Sequence, residues 1–127
     1  MKFTGRHVLA ELEGVSAQAL DDEALLRDAL TRSLRTAGAT VLDVVTHRFS
    51  PQGLTVLSML AESHASIHTW PDKGGAFVDV FTCGNSADPE CAVRLLADEL
   101  GAERTSWRTL RRGEPSADTE IVEPLGD

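Results

Sequence analysis

Strand-like segments outnumber helical segments along this chain, and that imbalance constrains the fold most. Two segments, 22–37 and 89–100, place apolar residues at helical spacing. The strand-like segments have alternating or β-branched residues and span 6–13, 40–49, 54–61, 65–70, 76–83 and 103–111. Two helices cannot cover both faces of such a sheet. We therefore predict an α+β fold, a two-layer α/β sandwich whose mostly antiparallel sheet carries both helices on one face.

Capping residues mark the ends of the two predicted helices. Asp21 or Asp22 precedes the first helix, where its side chain can accept hydrogen bonds from free backbone N–H groups. Gly38 follows that helix as a left-handed terminator. Asp88 and Gly101 occupy the corresponding positions around the second helix.

The sheet face without helices needs a cover of its own. We expect that face to contain apolar or small residues, namely Val44, Thr46, Val56, Ser58, Ile67 and Val78. A face of this composition is unfavourable in water. The sequence therefore predicts that two copies of the chain dimerise face to face.

Charge and composition exclude several classes of function. The 127 residues include 20 acidic and 12 basic side chains, for a net charge of −8, which argues against a nucleic-acid partner. No apolar run approaches the roughly 18 residues of a membrane span, and the first residues lack the apolar stretch of a secretory signal. The two cysteines, Cys83 and Cys91, suit a reducing compartment. We expect a cytoplasmic protein without a membrane partner.

The domain organisation follows from length and from the distribution of acidic residues. Residues 1–112 fit one domain. Residues 113–127 contain five acidic side chains, no basic one and no aromatic one. We predict that this segment is a mobile acidic tail outside the fold.

Reactive side chains concentrate between residues 62 and 83 and leave several chemistries open. His64, His68 and Cys83 are suitable zinc ligands, although their spacing matches no standard zinc module. Cys83 with His68 is also a candidate thiol nucleophile and base, whereas a cysteine after an apolar strand is usually a packing residue. A Ser-His-Asp triad lacks the usual nucleophile elbow. A phosphate cradle at 74–75 competes with a plain hairpin turn.

Longer strings of sequence are more specific. The string ESHASIHTWPD, followed by VDVFTCG, resembles the bacterial and archaeal S-adenosylmethionine decarboxylase proenzymes. GRHVLAELEG, AGAT, HRFSPQG and the RRG near residue 112 extend the resemblance over roughly residues 4–113. This family consists of self-processing enzymes with a pyruvoyl group. The resemblance therefore implies a lyase that is made as a zymogen and contains neither pyridoxal phosphate nor a metal.

The resemblance also implies roles for individual residues. Ser63 would attack the carbonyl of Glu62, and His68 would then remove the Cα proton of Ser63. Cleavage would leave a β chain, 1–62, and an α chain, 63–127, whose first residue becomes the pyruvoyl group. That group would form a Schiff base with the substrate amine, and Cys83 would return a proton after CO₂ is lost. Thr55 would supply the hydroxyl that assists processing, where the family often has serine.

The implied substrate is S-adenosylmethionine, decarboxylated to give the aminopropyl donor for spermidine. The resemblance places Phe49, Trp70 and Asp72 at the substrate, with Phe49 stacking on adenine and Asp72 holding the ribose hydroxyls. The sequence departs from the family at Asp72, where glutamate is usual, and at 73–75, where two aromatic residues are lost. A pyruvoyl decarboxylase of arginine or ornithine is therefore the alternative. A different class of function is also possible for such a sequence: a relative that no longer processes itself and acts only as a binding or regulatory partner.

Overall fold

The computed structural model describes residues 3–113 and 121–122 of the chain. Its helices are α1 (Ala17–Leu20), α2 (Glu23–Thr36) and α3 (Pro89–Leu100), and a single 3₁₀ turn covers Pro71–Lys73. Its strands are β1 (Thr4–Glu13), β2 (Val41–Arg48), β3 (Leu54–Leu60), β4 (Ser63–Trp70), β5 (Gly75–Cys83), β6 (Arg104–Gly113) and β7 (Ile121–Val122).

The seven strands form one antiparallel sheet in the order β2-β3-β4-β5-β1-β6-β7. Strands β2 to β5 follow one another as hairpins, and β1 inserts between β5 and β6. The predicted α+β sandwich is confirmed, with all six predicted strands and both predicted helices present. The one-turn helix α1 and the two-residue strand β7 were not predicted, because segments this short carry little periodicity.

The core lies between α2, α3 and one face of the sheet. Alternate residues of each central strand are buried, as Val8, Ala10 and Leu12 are on β1. The stripe Leu26, Leu30 and Leu34 of α2 packs onto this face, and the buried residues of α3 pack beside it. The opposite sheet face, called the open face below, carries no helix within the described part of the chain.

The expected composition of the open face was wrong. Val56, Ser58, Ile67 and Val78 are buried beneath the helices, and Thr46 accepts a hydrogen bond from Arg27 of α2. Residues next to these on the strands point to the open face instead. The exposed large apolar residues of this face and the adjoining turn are Leu9, Val45, Phe49, Leu57, Met59, Trp70 and Phe77. A shift of one residue along a strand exchanges its two faces. The open face nevertheless exposes several large apolar side chains, which is the feature that the dimerisation argument requires.

The helix ends follow the predicted capping pattern. The Asp22 carboxylate accepts from the Leu25 N–H at 3.0 Å, and Asp88 accepts from the Cys91 N–H at 3.1 Å. Gly101 ends α3 in the left-handed conformation, with φ of 71°. Arg32 of α2 donates to Glu99 of α3, and this hydrogen bond raises the pKa of Arg32 above its ordinary value.

The predicted acidic tail lies largely outside the described residues. Its first residue, Gly113, ends β6, and Ile121–Val122 pair with Thr109 and Leu110 of the same strand. Among the described helices, none is both long and apolar enough to cross a lipid bilayer.

Candidate active site

The peptide bond between Glu62 and Ser63 lies at the start of β4, beside the end of β5. The Glu62 carbonyl accepts a hydrogen bond from the Cys83 N–H at 3.0 Å, and its carboxylate accepts from the Thr40 N–H at 3.0 Å. The Ser63 Oγ lies 3.0 Å from Nδ1 of His64. These four residues, Glu62, Ser63, His64 and Cys83, are called the scissile cluster below. They place a polarised carbonyl next to a hydroxyl that is hydrogen-bonded to an imidazole.

The backbone of Ser63 is strained. Its φ is 157°, and it is the one non-glycine residue with positive φ in the described part of the chain. An L-residue with a side chain rarely adopts this conformation, which costs of order 1–3 kcal/mol. The strain is located at the bond that the sequence predicts to be cleaved.

Cys83 combines a backbone contact with a partly exposed thiol. It is a free cysteine of intermediate exposure at the end of β5. Its N–H donates to the Glu62 carbonyl, so Cys83 lies across the β4–β5 pair from the residue that precedes Ser63. Its position therefore argues against a packing role in the core.

Several polar side chains lie near His64 on the open face. His7 Nε2 lies 2.7 Å from Asp79 Oδ2, and Ser66 donates to the other oxygen of Asp79. Arg112 lies 3.3 Å from Nδ1 of His7, and its guanidinium also stands over the Phe81 ring at 5.0 Å. Because arginine only donates, Nδ1 of His7 accepts and Nε2 carries the proton given to Asp79.

A second cluster lies near the other end of β4. The Thr55 hydroxyl and Nδ1 of His68 are 2.6 Å apart across the β3–β4 pair. The His68 ring contacts Phe49 at 5.4 Å and Trp70 at 4.8 Å between centroids, and Trp70 contacts Phe77 at 6.0 Å. Thr55 and His68 are called the Thr–His pair, and the three neighbouring rings the aromatic row.

The two clusters are separated within one chain. Ser63 and His68 lie on the same strand five residues apart, which corresponds to about 16 Å at 3.3 Å per residue. Cys83 belongs to the Ser63 end of the strand. Ser63, His68 and Cys83 therefore all lie on strands of the sheet, but the predicted base His68 and the serine it would act on do not meet in one copy.

The predicted substrate residues gather around the Thr–His pair. Phe49 is held by a turn in which its N–H donates to the Gly53 carbonyl at 2.8 Å. Asp21 fixes this turn by accepting from the Gly53 N–H at 3.0 Å and from Arg48 at 3.3 Å. Asp72 is exposed in the 3₁₀ turn that follows Trp70. The structure thus brings Phe49 and Trp70 together, with Asp72 two residues beyond the latter.

Two grooves flank these clusters. One, of about 420 Å³, runs beside Ser63 and His64 and is lined by Asp43, Val45, Leu57 and Met59 among others. The other, of about 400 Å³, lies at the opposite end of the sheet and is lined by Glu11, Glu13, Trp70, Lys73 and Phe77 among others. Both grooves are open to solvent in a single chain.

The remaining chemistries left open by the sequence lose support. His64 and His68 lie four residues apart on β4, about 13 Å, which is too far for one zinc ion. For the same reason His68 does not reach the Cys83 thiol within one chain. Gly74 and Gly75 link the 3₁₀ turn to β5, so the hairpin alternative is correct, and the Gly74 carbonyl accepts from the Val15 N–H at 3.0 Å.

Sequence reasoning missed His7 and Asp79, which are 72 positions apart. They approach each other only because β1 pairs with β5, which places His7 opposite Phe81 and next to Asp79 on the same face. Strand alternation puts each side chain on one face, but no local signal indicates which strands are neighbours. Ligand atoms of His7, His64 and Asp79 lie within 4.8 Å of one another.

Known proteins of one family resemble this chain over most of its length. The family model for S-adenosylmethionine decarboxylase matches residues 6–113. An S-adenosylmethionine decarboxylase proenzyme of Parasynechococcus marenigrum strain WH8102 is 51% identical over 124 residues, covering 97% of each chain. One from Methanococcus maripaludis is 44% identical over 113 residues, covering 89% of this chain and 93% of the relative. The crystal structure of the adenosylmethionine decarboxylase from Aquifex aeolicus superposes with a TM-score of 0.82 at 34% identity, covering 94% of this chain and 99% of that one.

Proposed function

The chain belongs to the S-adenosylmethionine decarboxylase family, and from that premise we propose that it is a self-processing, pyruvoyl-dependent decarboxylase of S-adenosylmethionine. The observation that carries the proposal is the scissile cluster. A strained Ser63 presents its hydroxyl to an imidazole, beside a Glu62 carbonyl that is polarised by the Cys83 N–H. Its product would serve as the aminopropyl donor for spermidine.

Processing begins with attack of Ser63 Oγ on the Glu62 carbonyl carbon. The C–Oγ bond forms, the C–N bond breaks, and the backbone amide becomes an ester with a free amine on residue 63. The Cys83 N–H already donates to the carbonyl oxygen and so favours the negative charge that develops there. Relief of the positive φ at Ser63 works in the same direction.

The second step is removal of the Cα proton of Ser63, which expels the 1–62 chain as a carboxylate. Loss of ammonia after addition of water then leaves a pyruvoyl group on the 63–127 chain. We assign the proton removal to His68, positioned by its hydrogen bond with Thr55. Since His68 lies about 16 Å from Ser63 in its own chain, this assignment requires His68 of a second copy.

A two-fold dimer through the open face supplies that second copy. The open face exposes large apolar side chains, among them Leu57 at 51%, Met59 at 59% and Phe77 at 56%. Large apolar side chains exposed on one face of a sheet favour association. In an isologous pair each scissile cluster can face the Thr–His pair of the other chain, which gives two equivalent sites in an (αβ)₂ assembly.

The groups around the Thr–His pair suit a nucleoside with a cationic centre. The rings of Phe49 and Trp70 offer flat apolar faces to an adenine, and Asp72 offers a carboxylate to ribose hydroxyls. The groove beyond them combines aromatic rings with Glu11 and Glu13, which favours a positively charged sulfonium. A small basic amino acid would leave most of this aromatic surface unused.

For decarboxylation, a pyruvoyl carbonyl at residue 63 supplies the electron sink that loss of CO₂ from an α-amino acid requires. The residues at the site fit such a group, because residue 63 is only partly buried and the preceding Glu62 carbonyl is hydrogen-bonded to the backbone of Cys83, a free cysteine. We assign to Cys83 the return of a proton to the substrate carbon. Two free thiols in the described chain are compatible with the proposed cytoplasmic location.

The proposal is tested by mass spectrometry and labelled CO₂ release. The expected result is an α chain that begins with a pyruvoyl group at residue 63, and CO₂ from S-adenosylmethionine. An intact 13.7 kDa chain would contradict processing and indicate a binding relative instead. Cleavage with CO₂ from arginine or ornithine alone would contradict the substrate and leave the pyruvoyl chemistry standing.

A further inference from the structure

We propose that His64 is the general base that activates the Ser63 hydroxyl for self-cleavage. The inference rests on the proposed self-processing and assigns its first proton transfer. His64 Nδ1 lies 3.0 Å from Ser63 Oγ, within the distance at which a base takes a proton directly. No other described imidazole has a recorded hydrogen bond to this hydroxyl.

The other candidate base is engaged elsewhere. His68 lies about 16 Å away along β4 in the same chain, and its Nδ1 is hydrogen-bonded to Thr55. His68 is therefore suited to the later removal of the Cα proton, from the second copy. The two proton transfers of processing thus fall to two different histidines, His64 of the same chain and His68 of the second copy.

Neighbouring side chains orient the His64 ring. It stands opposite Phe81 in the β4–β5 register, with ring centroids 5.6 Å apart, and meets His7 edge to face at 6.1 Å. When the Ser63 hydroxyl donates to Nδ1 across this 3.0 Å contact, the proton of neutral His64 is on Nε2. An imidazole in this tautomer has a free lone pair directed at Oγ.

Charged groups of both signs lie near His64. The Asp79 carboxylate comes within 4.8 Å of a ring nitrogen of His64. The opposing positive charge, Arg112, is directed at His7 and the Phe81 ring. Positive charge formed on His64 during the reaction is therefore close to a carboxylate.

The step is balanced without any further reactant. His64 Nδ1 takes the Oγ proton as the C–Oγ bond forms to Glu62. As the tetrahedral intermediate collapses and the C–N bond breaks, the imidazolium gives that proton to the departing amine of residue 63. His64 therefore ends the step neutral, as it began.

The test compares His64→Asn with His64→Ala and with the wild type, following cleavage of freshly folded proenzyme on denaturing gels. Asparagine keeps a hydrogen-bond acceptor near the Nδ1 position but cannot carry the proton. Because general-base catalysis typically contributes 10²–10⁴-fold, we expect both variants to cleave at least about 100-fold more slowly. Cleavage of His64→Asn at the wild-type rate would overturn the proposal.

A thiol nucleophile separates base catalysis from structural support. A cysteine at residue 63 ionises without a strong base. In the Ser63→Cys proenzyme, adding His64→Asn should therefore slow cleavage by less than about tenfold. Cleavage of the double variant also shows that the chain has folded. An equally large effect on both nucleophiles would mean that His64 supports the structure, and would overturn the proposal. A wild-type chain that never cleaves would instead refute the proposed self-processing.

Discussion

Thr55 and His68 face each other across β3 and β4, and the threonine Oγ1 lies 2.6 Å from Nδ1 of the imidazole. This hydrogen bond fixes the direction in which Nε2 of His68 points, which is the nitrogen left to take a proton. The pair sits among aromatic rings on the open face, away from the serine of its own chain. The proposed chemistry therefore depends on how two copies meet.

Removing the hydroxyl of Thr55 should slow processing by about 10- to 100-fold, because a hydrogen bond of this kind is worth about 1.5–3 kcal/mol when a charged group forms. The change is Thr55→Val, which keeps the shape of the side chain. Thr55→Ser is the matched control and should cleave near the wild-type rate. Time courses on denaturing gels give the rates. Equal rates for the valine and serine variants would argue against a role for the hydroxyl.

Complementation between two inactive variants tests the shared site. Ser63→Ala and His68→Ala chains should each remain uncleaved alone. When the two are refolded together, His68 of the first variant can act on Ser63 of the second. Random pairing makes half of the dimers mixed, so about half of the His68→Ala chains should be cleaved. If mass spectrometry finds every chain intact, the proton is not taken by a second copy.

Loss of the Cys83 thiol should separate processing from decarboxylation. Cys83→Ala keeps the backbone N–H that holds the Glu62 carbonyl, so cleavage should continue. Release of CO₂ should fall by about 100-fold or more, since a positioned proton donor contributes on that scale. Cys91→Ala, on α3, is the matched control and should leave both rates unchanged. Wild-type turnover in Cys83→Ala would show that another group donates the proton.

Phe49 should contribute to substrate binding through ring contact. Phe49→Ala is expected to raise KM for S-adenosylmethionine about 2- to 10-fold, because aromatic pairs contribute about 0.5–1.5 kcal/mol beyond buried area. Processing should be little affected. Phe3→Ala, a ring that is 76% exposed at the start of the sheet, is the control. A KM that is the same for both variants would remove Phe49 from the binding site.

A charge on the open face should block assembly without unfolding the chain. Leu57 is 51% exposed, so Leu57→Lys should change the free energy of unfolding by no more than about 0.5 kcal/mol. Light scattering should then report a single chain, and cleavage should stop. Thr36→Lys, exposed on α2, should leave the dimer intact. Normal cleavage by a monomeric Leu57→Lys chain would contradict the shared site.

The sequence by itself determined the secondary structure and the chemical groups. Strand alternation and helix capping act over a few residues, so Val8, Ala10 and Leu12 could be assigned to one face and Asp22 and Asp88 to the helix starts. The contiguous string around Ser63 indicated the family, which the family model and the relatives confirm. These signals act between residues that are close in the sequence, so they can be recognised without knowing the fold.

Only the tertiary structure decided which face of each strand meets the helices and which residues become neighbours. The expectation that Val56, Ile67 and Val78 lie on the open face was wrong, because alternation separates two faces without saying which one is covered. The approach of His7 to Asp79, and the distance between Ser63 and His68, follow from strand order and register. Those depend on pairings between residues far apart in the chain, which the packing of the whole sheet selects.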